Sequence, residues 1–336
     1  MKVSVIGAGS WGTALAMKSV EAGNETVLYC RRYFQAQALR ETRENAEYLP
    51  GVILPDALII ESDLTTAVEG ADIVLLVTPS SFVRETLLVL EPLLTKNMIL
   101  VICSKGLERR TGLRMTEIAE ELVGHSTKRR AVLYGPNHAE EVARGLPTAT
   151  VVASEHADTA RAVQTALSSE RFRIYINEDV VGVEIGATTK NIIALAVGIA
   201  DGLRLGDNIK AAIMTRGLHE MTKFGLSYGA KRETFAGLSG MGDLIATCIS
   251  AHSRNRSAGK RLADGETMED IMRSSSMVVE GFYAVPAVCE AAKARNLELP
   301  IAFAMHDLLF GHKDIPTVIS DLMTRELKDE LMIGSY

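Results

Sequence analysis

The chain is 336 residues long, 47% hydrophobic and 23% charged, with a formal net charge of -6. At about 150 residues per domain, that length predicts two domains, large enough to bury their cores without disulfide or metal staples. The acidic balance excludes a broadly basic nucleic-acid binder and leaves room only for a local basic pocket. Four cysteines (Cys30, Cys103, Cys248, Cys289) lie far apart and form no CxxC. They predict neither a disulfide framework nor a zinc site, and they point to a reducing compartment. The seven histidines are scattered and no HExxH occurs, so no metal is expected. No apolar stretch nears the roughly 18 residues needed to cross a bilayer. The first apolar run, residues 3–6, is too short for a signal-peptide core. The expectation is a cytoplasmic protein without membrane insertion.

In chain order, residues 3–6 read as a buried strand, followed by a glycine turn and a helix over 11–22. Further strands are expected at 25–30, 73–77 and 98–103, with weaker ones at 131–134 and 150–153. Apolar runs separated by helix-length segments indicate parallel strands covered on both faces. The fold class is therefore α/β, with an N-terminal Rossmann-type doubly wound sheet. Near residue 180 the texture changes. Ile192, Leu195, Ala196 and Ile199 recur at helical spacing, and helices are expected near 208–224, 238–250, 254–264, 279–295 and 300–310. Gly225, Gly229, Gly265 and Pro300 punctuate them. The expected domains are 1–180, binding a dinucleotide, and 181–336, mostly α-helical and carrying the substrate and catalytic groups. The amphipathic helices of the second domain offer either a homodimer face or core, and the sequence leaves both open.

Gly7-Ala8-Gly9-Ser10-Trp11-Gly12 matches G-x-G-x-x-G, directly after a strand and opening a helix, which is the context a dinucleotide site requires. Gly7 allows the tight turn, Gly9 has no side chain to block a pyrophosphate, and Gly12 lets the helix pack on the strand. The first-turn amides of that helix then face an anion. At the end of the second strand an NAD-selective site would place Asp or Glu. Here Cys30-Arg31-Arg32 stands there instead. Two guanidiniums suit a 2′-phosphate, so NADP(H) is the expected cofactor, with NAD(H) tolerated. The alternative is a solvated arginine pair.

Three other segments carry reactive residues. Lys105, in Ser104-Lys105-Gly106, lies just past a strand's C-terminal end, where ligands collect in open α/β sheets. Thr188-Thr189-Lys190-Asn191 reads as the opening of a helix that continues almost entirely apolar. A lysine is disfavoured at a helix N-terminus, so either a function keeps it there or it snorkels off an apolar face. Finally, Gly237 to Asp243 precedes His252-Ser253-Arg254-Asn255. Ser253 as an N-cap, a guanidinium fork and helix-start amides make a phosphate cradle, or simply a capped basic surface helix.

With these residues in view, the chain resembles the bacterial-type NAD(P)-dependent glycerol-3-phosphate dehydrogenase family over nearly its whole length. The shared motifs are GAGSWGTALA near the start, YLPG at 48–51, SKGLE at 104–108, GPNHAEE at 135–141, TTKN at 188–191, GLSGMGDL at 237–244, SRN at 253–255 and VEG at 279–281. The resemblance implies that Ser10, Trp11, Arg31, Lys105 and Ala139 contact the dinucleotide, and that Arg254, Val278 and Glu280 close around it. It also implies that Lys105, Gly135, Lys190, Asp243, Ser253, Arg254 and Asn255 form the substrate pocket, with Lys190 as proton donor and acceptor. Many relatives carry Ser or Thr followed by Phe where this chain has Asn137-His138. Asn137 still donates and accepts hydrogen bonds and is kept as a substrate contact, while no effect of His138 follows from the sequence.

The implied reaction is interconversion of dihydroxyacetone phosphate, a small phosphorylated three-carbon ketone, and sn-glycerol 3-phosphate. The nicotinamide supplies a hydride to C2 and Lys190 a proton to its oxygen. Burial would lower the Lys190 pKa and Asp243 would raise it, and the sequence does not say which prevails. The resemblance also implies a supply role in phospholipid synthesis. Two other readings compete. A dehydrogenase of non-phosphorylated substrates would have little use for Ser253-Arg254-Asn255, and a dinucleotide sensor without chemistry would not need Lys190. The YxxK rather than YxxxK spacing of Tyr228 and Lys231 argues against a short-chain dehydrogenase.

Overall fold

A computed structural model describes residues 1–275 and 277–327. The end of the expected second domain, residues 328–336, lies outside the described residues. The sheet region runs β1 (Lys2–Ile6), α1 (Ser10–Glu21), β2 (Glu25–Tyr29), α2 (Tyr33–Thr42), β3 (Ile59–Glu61), α3 (Leu64–Val68), β4 (Ile73–Leu76), α4 (Val83–Leu90), β5 (Ile99–Ile102), α5 (Met115–Val123), β6 (Arg130–Tyr134), α6 (Ala139–Ala143), β7 (Thr148–Ala153), α7 (Ala157–Leu167) and β8 (Phe172–Asn177). The helical region follows as α8 (Val180–Gly202), α9 (Asp207–Leu226), α10 (Arg232–Phe235), α11 (Asp243–Ile249), α12 (Arg254–Ala263), α13 (Met268–Ser274), α14 (Glu280–Ala294), α15 (Pro300–Phe310) and α16 (Ile315–Met323).

The eight strands form one sheet in the order β3-β2-β1-β4-β5-β6-β7-β8. The continuous apolar runs became its centre: every residue of β4 and β5 is buried, as helices on both faces demand. Val3 pairs with Ile73 and Val5 with Leu75 in parallel register. The chain leaves β1 toward β2 and β3, then crosses to β4 on the other side. The order thus reverses between β1 and β4, which opens the ligand crevice at their C-terminal ends.

Two features depart from the sequence reading. The sheet is not wholly parallel, because β7 runs antiparallel to β6. The connecting α6 has five residues and rises only about 7.5 Å. The five-residue β6 spans about 16 Å, so α6 cannot carry the chain back to the other edge. β7 therefore starts where β6 ends. The strands β3 and β8 were also not foreseen. β8 lies at the sheet edge and begins with Phe172 and Ile174 inward, Arg173 and Tyr175 outward. That alternation marks a strand with one wet face, not a continuous apolar run.

In the helical region α8 is the hub, and α9, α11, α12 and α14 pack around it. It begins at Val180, eight residues before the expected opening at Thr188. Asp179 caps it by accepting the Gly182 amide at 2.9 Å, so Lys190 sits at mid-helix rather than at an N-terminus. The argument from helix-end electrostatics therefore falls away, and what remains is a lysine inside the core. α8 and α12 cross closely because glycines meet backbone there: a Cβ on Gly198 would lie 2.2 Å from the Arg256 carbonyl oxygen, and one on Gly259 2.2 Å from that of Leu195. By length and composition α8 is apolar enough to cross a bilayer, contrary to the sequence reading, yet 89% of its apolar window is buried inside the protein. Its Glu184 joins the two regions by accepting the Thr116 amide and hydroxyl at 2.9 and 2.6 Å and pairing with Arg114.

Candidate active site

At the crevice, Gly7 has φ +121°, and a Cβ there would lie 2.7 Å from the Val77 carbonyl oxygen. A Cβ on Gly12 would lie 1.8 Å from the Gly7 oxygen, so the loop and α1 interlock as the fingerprint requires. At Gly9 the added atom would meet nothing within 4 Å, which leaves the backbone open to a ligand. No side chain caps α1 and its first turn carries no acid. The amides of Ser10, Trp11 and Gly12 therefore keep their affinity for an anion. This cradle fits a dinucleotide pyrophosphate. The Ser10 hydroxyl lies 4.0 Å from the Met277 sulfur, on the loop before α14. The Trp11 ring packs edge-on against Phe172 at 6.5 Å, so Trp11 offers its backbone to the crevice and its ring to the core.

The two arginines after β2 part company. Arg32 donates to Glu47 at 2.6 Å and to the Tyr48 hydroxyl at 3.2 Å. Arg31 stacks over the Phe82 ring at 5.9 Å. Arg32 thus has a carboxylate partner, brought from the loop after α2, that the local sequence did not disclose. Arg31 is the better placed of the two to receive a 2′-phosphate.

Past the C-terminal end of β5 stands a four-member array. Lys190 donates to Asp243 Oδ1 and to Thr247 Oγ1, both at 2.6 Å. Lys105, beyond β5, donates to Asp243 Oδ2 at 3.0 Å and reaches the Gly135 carbonyl at 3.5 Å. The Thr247 hydroxyl donates its hydrogen bond to the Asp243 carbonyl at 2.6 Å, so its lone pair is free to accept from the ammonium. Asp243 and Thr247 are four residues apart on α11 and share a face. Thr247 was not singled out from the sequence, although that spacing was the available signal. Burial pushes the Lys190 pKa down to about 8, with Asp243 pulling it up and Lys105 adding to the depression. The contest left open by the sequence therefore goes to burial. Burial pushes the Asp243 carboxyl up, but Lys105 and Lys190 together outweigh it and hold the group below the usual carboxylate range.

The remaining expected residues ring this array. Ser253 caps α12 by accepting the Arg256 amide at 3.2 Å. Arg254 donates to the Val278 carbonyl at 3.0 Å, and Arg254, Ser253 and His252 line a cavity of about 280 Å³ with Met277 and Val279. Asn255 is committed within the protein: it donates to Asn191 at 2.9 Å and accepts the Gly281 amide at 2.8 Å, bracing α8, α12 and α14. Glu280 accepts the Ser80 hydroxyl at 2.6 Å, a link from α14 to the loop after β4 that the sequence reading missed. Burial raises the Glu280 pKa, and Ser80 counters it. Asn137 donates to Thr150 at 3.2 Å, and Ala139 is buried at the start of α6. Among the described residues no group of His, Cys, Asp and Glu is placed to hold a metal.

An anion cradle at a topological switch point and a buried amine tuned toward neutrality are what nicotinamide-linked carbonyl reduction needs, and the class is that of the two-lobed dehydrogenases. The family is narrower. Residues 2–160 match the NAD-dependent glycerol-3-phosphate dehydrogenase N-terminus and residues 179–320 the C-terminus of the same family. The chain is 46% identical over 334 residues to a glycerol-3-phosphate dehydrogenase (NAD(P)+) of Moorella thermoacetica, covering 99% of each chain. It is 44% identical to one of Chlorobium phaeobacteroides (strain BS1), covering 98% of this chain and 99% of the relative. The crystal structure of glycerol-3-phosphate dehydrogenase from Coxiella burnetii superposes with a TM-score of 0.92 at 34% identity, covering 96% of this chain and 99% of that one. The chain belongs to the NAD-dependent glycerol-3-phosphate dehydrogenase family.

Proposed function

We propose that this chain interconverts dihydroxyacetone phosphate and sn-glycerol 3-phosphate with NADP(H) or NAD(H), using residues 1–180 as the cofactor domain and the residues from 181 onward as the catalytic domain. NAD(P)H, when bound, supplies the hydride that goes to C2. As the C=O π pair moves onto oxygen, the Lys190 ammonium delivers its proton there, and in the reverse direction the neutral amine takes that proton back. A pKa of about 8 keeps both forms within reach near neutral pH. Asp243 and Thr247 hold the amine in place, and Lys105 keeps Asp243 ionised. Arg254 and the first-turn amides of α12 hold the substrate phosphate, remote from C2, and so orient the ketone. Gly7, Gly9, Ser10, Trp11, Gly12 and Arg31 hold the dinucleotide.

The observation that carries this reading is the buried Lys190 amine, bonded to Asp243 and Thr247 at 2.6 Å. Four buried free thiols support a reducing, cytoplasmic setting, and the product suits a supply role in phospholipid synthesis. The test is coenzyme oxidation followed at saturating NADPH and NADH with dihydroxyacetone phosphate and with non-phosphorylated ketones of similar size. Turnover confined to the phosphate ester is expected. Equal turnover of a phosphate-free ketone would overturn the phosphate-cradle assignment.

A further inference from the structure

The Gly135–Ala139 loop contributes one side chain, His138, that reaches the helix carrying Asp243 and Thr247. His138 stands at the N-cap of α6, and its Nε2 lies 3.3 Å from the Ala246 carbonyl oxygen. A carbonyl only accepts, so Nε2 carries the proton and donates. The same carbonyl accepts the Ser250 amide at 3.0 Å, so the imidazole uses its second lone pair. Ala246 lies on α11 between Asp243 and Thr247, the two partners of Lys190. The bond therefore ties the substrate loop of the sheet region to the helical turn that holds the amine.

The charged and titratable groups around the ring are Lys190 from α8, Asp243 from α11, Lys105 from the loop after β5, and His252, whose ring centre is 6.4 Å away on the turn entering α12. Burial, then Lys190, depresses the His138 pKa below the ordinary histidine value. The ring is thus neutral at neutral pH and acts as a dipolar tether, not as a third cation beside the two lysines.

We propose that His138 is a positioning residue for proton transfer, whose bond to Ala246 fixes α11 so that Asp243 and Thr247 stay on the Lys190 amine. This deepens the proposed function and rests on its assignment of Lys190 as proton donor. Asp243 is the main group raising the Lys190 pKa against burial. Losing the tether loosens Asp243, and the amine then sheds its proton at lower pH.

The experiment compares His138→Phe and His138→Gln with the wild-type enzyme in dihydroxyacetone phosphate reduction across pH, with Lys190→Ala and thermal melting alongside. Phe keeps the ring but has no donor, while Gln keeps a donor without the ring. His138→Phe is expected to lower kcat by roughly fivefold, to leave the NADPH KM unchanged, and to move the alkaline limb toward acid by about half a pH unit. His138→Gln is expected to regain most of kcat and the wild-type limb. The tether is refuted if Phe performs like wild type, or if both variants lose kcat with the limb unmoved, which marks mere packing. Near-normal turnover by Lys190→Ala would instead overturn the proton-donor assignment itself. An inactive Lys190→Ala with an unmoved His138→Phe limb overturns the tether alone.

Discussion

The anion cradle at the nucleotide end of the crevice is made of backbone within one stretch, Gly7 to Gly12, where what matters is the absence of side chains. The chemical end is made of side chains gathered across the fold: 53 residues separate Lys190 from Asp243, and 138 separate Lys105 from Asp243. The first needs only a strand, a turn and a helix start, so it forms wherever those three occur in order. The second exists only once α8, α11 and the loop after β5 have packed, and its electrostatics are set by the burial that the packing creates. The two ends should therefore fail differently. Damage at the chemical end should appear in kcat and its pH dependence, whereas damage at the nucleotide end should appear in coenzyme KM.

The largest expected effect is that of Lys190→Ala, which should lower kcat for reduction by roughly a thousandfold while the NADPH KM stays unchanged. Steady-state kinetics with both substrates varied checks it, and a parallel rise in NADPH KM would mean the two ends are not separable. Asp243→Asn should follow, with kcat down by roughly a hundredfold. It removes the negative charge that pulls the Lys190 pKa up, so its alkaline limb should lie at lower pH than in wild type. A limb at the wild-type position would show that Asp243 acts by shape alone.

Legibility from sequence divides along the same line. The glycine loop, the central strands and the Ser253 cap could be read locally, because each is a short pattern whose physics lies within a few residues. Lys190 and Asp243 were named, but Lys190 was placed at a helix start, since nothing near it in sequence reveals that Asp179 caps the helix. Thr247, Ser80 and the Glu47 partner of Arg32 were missed because each matters only through a contact with a residue remote in the chain or beyond a loop. The antiparallel β7 follows from the shortness of α6, which can be judged only once both strand ends are known.

Smaller effects sharpen the contrast. Arg254→Ala should raise the KM for dihydroxyacetone phosphate by roughly thirtyfold, as expected for loss of a charge-assisted phosphate contact, with a smaller fall in kcat. An unmoved KM would remove Arg254 from the cradle. Arg31→Ala should reduce the preference for NADPH over NADH by roughly fivefold, and Arg32→Ala by less, because Glu47 already holds Arg32. The ratio of kcat/KM for the two coenzymes reads this directly, and a larger effect at Arg32 would reverse the assignment.

The most direct test is the pH dependence of kcat/KM for the carbon substrate, measured in both directions on one enzyme preparation at saturating coenzyme. If the Lys190 amine transfers the proton, ketone reduction should fall and alcohol oxidation should rise through a common pKa near 8. Limbs of the same sign in both directions, or flat profiles through that region, would contradict it.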